Sequence, residues 1–161
     1  RTGPRFMSIS PLPQVDGGLE LLTADGALAA RLQRAVRTQP AVYSLRVRGE
    51  LSAQQRTGII GGELDRGTAL RIMRIEAAGG AGSNRWYQIE TIGASGNDLR
   101  QLLARQAVAV SRLMRVRLGG LQLERAMARG RWRELLPAEI DSLLKPAGAV
   151  RPGADNPDSA R

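Results

Sequence analysis

Two apolar segments, residues 69–77 (ALRIMRIEA) and 86–92 (WYQIETI), stand on either side of a glycine-rich stretch at 79–84 (GGAGSN). Strand, short glycine-rich connection, strand is the pattern of a β-hairpin. A hairpin commits its neighbours to extending and covering an antiparallel sheet, and the rest of the chain supplies both kinds of partner. Residues 42–48 (VYSLRVR) partly alternate polar and apolar positions after Pro40 interrupts the chain. They read as a strand with Arg46 and Arg48 on one face, ended by Gly49. Residues 110–118 read as another strand, carrying Arg112, Arg115 and Arg117, and Gly119-Gly120 turns it into 121–123. Shorter strands are expected at 6–9 and 19–22.

Helix signals lie between these strands. Thr23-Ala24-Asp25-Gly26 offers a cap before 27–33, Ser52 before a short helix through Gln55 to Ile60, and Asn97 or Asp98 before Leu99, Leu102 and Leu103, which share one apolar face. Pro137 suits the first turn of a last helix over 138–144. The two types are mixed without a strict strand–helix repeat. The expected fold is therefore α+β: a mixed, mostly antiparallel sheet with flanking helices in one domain over 1–145. Residues 146–161 (PAGAVRPGADNPDSAR) have no periodic apolar face and read as a disordered tail. The opening RTGPRFMSIS has neither an initiator Met nor the apolar core of a secretory signal, and reads as part of something longer.

The chain has no Cys and no His. Thiolate nucleophiles, imidazole acid–base chemistry, Ser-His triads and His/Cys metal sites are excluded together. No apolar run approaches the ~20 residues of a membrane span. Net charge is +9, and of 24 basic residues only Lys145 is lysine. A GC-rich coding bias favours Arg over Lys but does not create a net positive excess, so an anionic partner is expected, nucleic acid first. The guanidinium fork suits phosphate well.

Four stretches carry a family resemblance. Residues 18–26 (GLELLTADG) resemble GLLLLTNDG, with Leu28 and Leu32 continuing the helix. Tyr43 with 47–51 (VRGEL) resembles a Tyr-containing strand closed by VKGEL, and 84–87 (NRWY) resembles NxWY. Residues 112–121 (RLMRVRLGGL) resemble RLKRVRIGPL, followed by 130–135 (GRWREL) for GEWREL. In this order and spacing the chain resembles the Rsu/RluB-type ribosomal RNA pseudouridine synthases over about residues 5–144. The resemblance implies a pseudouridine-synthase-like fold with a basic cleft, usually preceded by a small S4-like domain that this sequence does not include. It further implies a cytoplasmic location, ribosomal RNA as partner, no membrane, no metal and no cofactor. The implied reaction flips a uridine out of the RNA, cleaves its glycosidic bond, turns the base and rejoins it through carbon. An Asp in GRLDxxTxGLLLLT does the covalent work. Oligomeric state is left open, with a monomer as the default.

Counting back from Gly18, that motif's Gly-Arg-Leu-Asp falls on Ser10-Pro11-Leu12-Pro13, and its Thr on Asp16. A pyrrolidine ring at Pro13 offers neither nucleophile nor base. A second motif, GRNRQVRRMF, falls on 94–103 (ASGNDLRQLL). Arg100 matches the Arg that pairs with the family's Asp and Leu99 the apolar pocket residue, while Ser95 and Asn97 replace basic residues. The expected function is an RNA-binding protein of this family that is catalytically impaired. The alternative is an active isomerase using Asp16. Three extended residues separate Asp16 from Pro13 by about 10 Å, which opposes the alternative, and a turn role before Gly17-Gly18 also explains Asp16. A bidentate Arg100–Asp16 pair would support it.

Tyr43 fits either a base-stacking pocket residue or a half-buried strand Tyr. Arg46, Arg48, Arg112, Arg115 and Arg117 are the expected RNA-binding set, against the reading of a merely solvated face. Trp86, Tyr87 and Trp132 are expected in the core or packed on the sheet. The stretch at 79–82 lacks the ending of a phosphate loop.

Overall fold

The computed structural model describes residues 3–93 and 95–145; the expected tail at 146–161 lies outside them. In chain order the elements are β1 (Met7–Ser8), β2 (Gly17–Gly18), β3 (Leu22–Thr23), α1 (Gly26–Val36), β4 (Pro40–Arg48), α2 (Ala53–Gly61), β5 (Arg71–Ala81), β6 (Asn84–Ile92), α3 (Gly96–Arg105), β7 (Val110–Leu118), β8 (Leu121–Gln122) and α4 (Pro137–Leu144). The main sheet runs β2-β7-β4-β6-β5, with β8 also on β7; β1 and β3 pair separately. Among the described residues only β2 joins the main sheet in parallel; the sheet's other pairs are antiparallel. The α+β expectation is met.

Two of the four helices start at the cap that the sequence offers. The Asp25 carboxylate accepts from the Ala27 and Leu28 amides at the head of α1. Ser52 and Gln55 form a reciprocal capping box on α2, satisfying two otherwise orphaned amides. At α3 the cap is Ser95, whose hydroxyl accepts from the Asp98 amide at 3.1 Å, rather than Asn97 or Asp98. Pro40 opens β4 instead of standing outside it; a first strand position has no need of the missing N–H.

The glycine stretch at 79–84 also differs from expectation. β5 continues through Gly79 and Gly80 to Ala81, leaving Gly82-Ser83 as the reversal. Gly80 has φ +105°, and a Cβ there would run into the Asn84 carbonyl, so it serves close strand approach at an irregularity in the ladder.

The register sets which faces bury. Tyr43 lies opposite Ile89, and Leu45 opposite both Tyr87 and Leu113. All are buried, in one continuous core with Leu99, Leu102 and Leu103 of α3 and Ile59 of α2. On the opposite face Arg46 faces Trp86 on one side and Arg112 on the other. Among the described residues no helix is long and apolar enough to cross a membrane.

Candidate functional site

The segment between β1 and β2 folds back on itself. The Asp16 amide donates to the Pro13 carbonyl at 2.9 Å, closing a turn. This turn lies along α3. A side chain built on Gly96 would meet Pro13 Cδ at 2.9 Å and Leu12 Cδ2 at 3.1 Å, so the absence of a Cβ lets the loop close over the helix start. One helical turn onward on the same face of α3, Arg100 Nε donates to both Asp16 oxygens at 2.8 and 2.9 Å, and Nη2 donates to Oδ1. Pro13 therefore sits against Gly96 and Asp16 against Arg100. The extended-chain separation of about 10 Å does not apply, because the turn shortens the path and carries the carboxylate to the arginine. The bidentate Arg100–Asp16 pair is present.

The two partners differ in access. The Asp16 side chain is 1% exposed and that of Arg100 33%. Hydrogen bonding to Asp16 pushes the Arg100 pKa up, against desolvation, so the guanidinium stays charged. Tyr43 of β4 is fully buried. Burial drives its phenol pKa above the ordinary tyrosine range; the hydrogen-bonded Arg115 guanidinium opposes that rise, and the nearby charges of Asp16 and Asp98 add to it. At neutral pH Tyr43 is a neutral phenol beside a paired carboxylate.

Arg115 departs from its expected place. It is 1% exposed. Its Nε donates to the Leu19 carbonyl at 2.8 Å, and its two Nη atoms donate to the Ser10 hydroxyl and carbonyl at 3.0 and 2.7 Å. It cross-links both ends of the Asp16 loop beneath Tyr43 and is not open to a phosphate. Its charge implied exposure, but its strand parity places it on the same face as buried Leu113. Leu99 is likewise wholly buried, a core residue of α3. Arg117 is half-buried and spends Nε on the Gly119 carbonyl at 3.0 Å.

The remaining arginines of the set lie on the other face. Arg46 packs over the Trp86 ring at 5.6 Å and donates from Nε to the Ser111 hydroxyl at 3.0 Å. Arg48 and Arg112 are exposed. Direct opposition of Arg46 and Arg112 across the β4–β7 ladder is unfavourable unless an anion lies between them. The expectation for Trp132 fails: the residue is 81% exposed and is not part of the core.

A cavity of about 520 Å³ borders the loop at Ser10 and Pro11 and the start of α3 at Ser95 and Asp98. Asp16, Tyr43 and Arg100 do not line it. Among the described residues no three acidic, His or Cys side chains cluster so as to hold a metal ion.

No family model matches the chain. Individual relatives do. Ribosomal large subunit pseudouridine synthase B of Haemophilus influenzae is 33% identical over 93% of this chain and 46% of its own length. The protein of the same name from Pseudomonas aeruginosa is 36% identical over 92% and 38%, and that from Escherichia coli K12 is 35% identical over 88% and 48%. The chain thus spans less than half the length of these curated relatives. A solved pseudouridylate synthase shares the fold, with a TM-score of 0.68 at 20% identity over 86% of this chain and 59% of that one. Architecture and nine-tenths of the sequence therefore agree: the chain is a homologue of ribosomal large subunit pseudouridine synthase B proteins over somewhat less than half of their length, and it shares the pseudouridylate synthase fold.

Proposed function

We propose that this chain is an RNA-binding domain that engages ribosomal RNA in the cytoplasm without isomerising uridine. The observation that carries the reading is the state of Asp16. Its oxygens are turned onto Arg100 and its side chain is 1% exposed. A group that attacks a nucleoside must touch it. Pairing with Arg100 does not separate the two readings, since the resembled family's Asp pairs with the matching Arg; the closed access to the Asp16 carboxylate does, and Pro13 cannot act in its place. Arg46, Arg48 and Arg112 supply salt-dependent attraction to a phosphate backbone.

A second reading keeps turnover, with Asp16 as the attacking carboxylate. The bidentate pair and the nearness of Tyr43 favour it, since a carboxylate does reach the arginine to which the family's Asp pairs. That reading requires the loop to open enough for the enclosed carboxylate to reach the nucleotide.

The test is titration of a labelled ribosomal RNA fragment at several salt concentrations. Binding that weakens steeply with salt is expected, and replacing Arg46, Arg48 and Arg112 by Ala should flatten the slope. Salt-independent or absent binding overturns the reading. Pro13→Asp alone should gain no turnover, because Pro11, Ser95 and Asn97 remain in place of the motif's residues. Pseudouridine formed by that variant would show that the rest of the pocket is intact.

A further inference from the structure

The loop over residues 123–136 holds four arginines, at 125, 129, 131 and 133, around Trp132. It is a built structure. The Met127 amide bonds the Glu124 carbonyl at 3.1 Å and the Arg131 amide bonds the Ala128 carbonyl at 3.0 Å, giving two successive turns. Gly130, at φ +79°, occupies the third position of the second turn, where a left-handed residue is required. Arg133 then fixes the end of the loop. Its two Nη atoms each donate to a Glu139 oxygen at 2.8 Å, and its Nε lies 3.0 Å from Glu124 Oε1. Trp132 stands beside this clamp, and Arg125, Arg129 and Arg131 are exposed with no ion pair among the described residues.

The loop also starts close to the site. On the β7 edge away from β4, Met114 and Arg115 face Gly17 and Gly18 of β2, which follow Asp16 directly. The Leu123 amide bonds the carbonyl of the next residue, Val116, at 2.8 Å.

We propose that Trp132, flanked by Arg125, Arg129 and Arg131, is a stacking platform for an unpaired base of single-stranded RNA. An exposed indole on an ordered loop loses little freedom on stacking, and the three guanidiniums complement the phosphates on either side. The inference rests on the RNA-binding reading above and adds a second contact region to it.

The test uses the full chain and fluorescein-labelled oligouridine, with inorganic polyphosphate as an anion without bases. Trp132→Ala should lower oligouridine affinity about tenfold, leave the salt slope unchanged and leave polyphosphate affinity unchanged. Trp132→Phe should retain most of the affinity. Arg129→Ala with Arg131→Ala should weaken both probes and flatten the slope by about 0.7 per lost contact. If the parent chain binds oligouridine and Trp132→Ala binds equally well, the platform is overturned and the RNA-binding reading stands. An equal loss of both probes in Trp132→Ala also overturns it, since stacking needs a base. If the parent chain binds no RNA, both readings fall.

Discussion

Two arginine forks in this molecule have nearly the same contacts and opposite surroundings. Arg100 holds Asp16 where the carboxylate is closed to solvent, whereas Arg133 holds Glu139 and Glu124 at the surface. Geometry alone would rank them together. Burial separates them, because an unpaired carboxylate is costly only where water cannot replace its partner. The first pair fixes the loop between β1 and β2. The second fixes the shape of a loop without deciding whether the protein folds.

The comparison breaks most visibly at Arg100. Arg100→Ala strands a buried carboxylate and should destabilise by about 3 kcal/mol in urea unfolding. Asp16→Asn leaves a guanidinium that water can reach and should cost only about 1 kcal/mol. The double variant should recover much of the larger loss, and strict additivity would show that the pair is not coupled.

A middle-sized effect is expected at Gly96, where the resembled motif has Asn. Gly96→Ala puts a methyl against Pro13 and Leu12 and should cost about 1–3 kcal/mol while loosening the turn. No change in stability would mean that the loop already has room to move.

The smallest stability effect belongs to the surface clamp. Hydrogen bonds from Arg133 and the Leu136 amide hold the Glu139 pKa down at about 2. A depressed carboxyl contributes above its unfolded pKa of about 4.3 and loses that contribution as pH falls through about 2. Trp132 emission, followed against a Trp86→Phe background, should therefore shift between about pH 4 and 2 before global unfolding. Glu139→Gln should abolish the shift and barely move the urea midpoint. A midpoint loss as large as that of Arg100→Ala would erase the distinction between the two forks.

Much of the fold is legible in the sequence because its signals are local. The caps at Asp25 and Ser52 and the extent of β7 from Val110 to Leu118 follow from side chains and spacing. The failures are cases where a distant partner decides. Gly79 and Gly80 look like a turn but continue β5, and Gly80 is spent on close approach to β6. Arg115 looks like a surface cation, and the Ser10 hydroxyl with the loop carbonyls at Ser10 and Leu19 makes its burial tolerable. Trp132 looks like a core residue until the β8–α4 connection is seen to pass over the surface. At the site, alignment placed Pro13, Asp16 and Arg100 but not the turn from Pro13 to Asp16, since an extended chain is the only reach that spacing by itself supplies.

Uridine isomerisation itself tests the account most directly. Ribosomal RNA incubated with wild-type protein and with Asp16→Ala can be scored for pseudouridine by base-specific adduct and primer extension. An Asp16 carboxylate closed to solvent predicts no product above the protein-free background in either sample. Site-specific pseudouridine that appears with wild type and disappears with Asp16→Ala would contradict the account, and would make the displaced carboxylate the working group of an active enzyme.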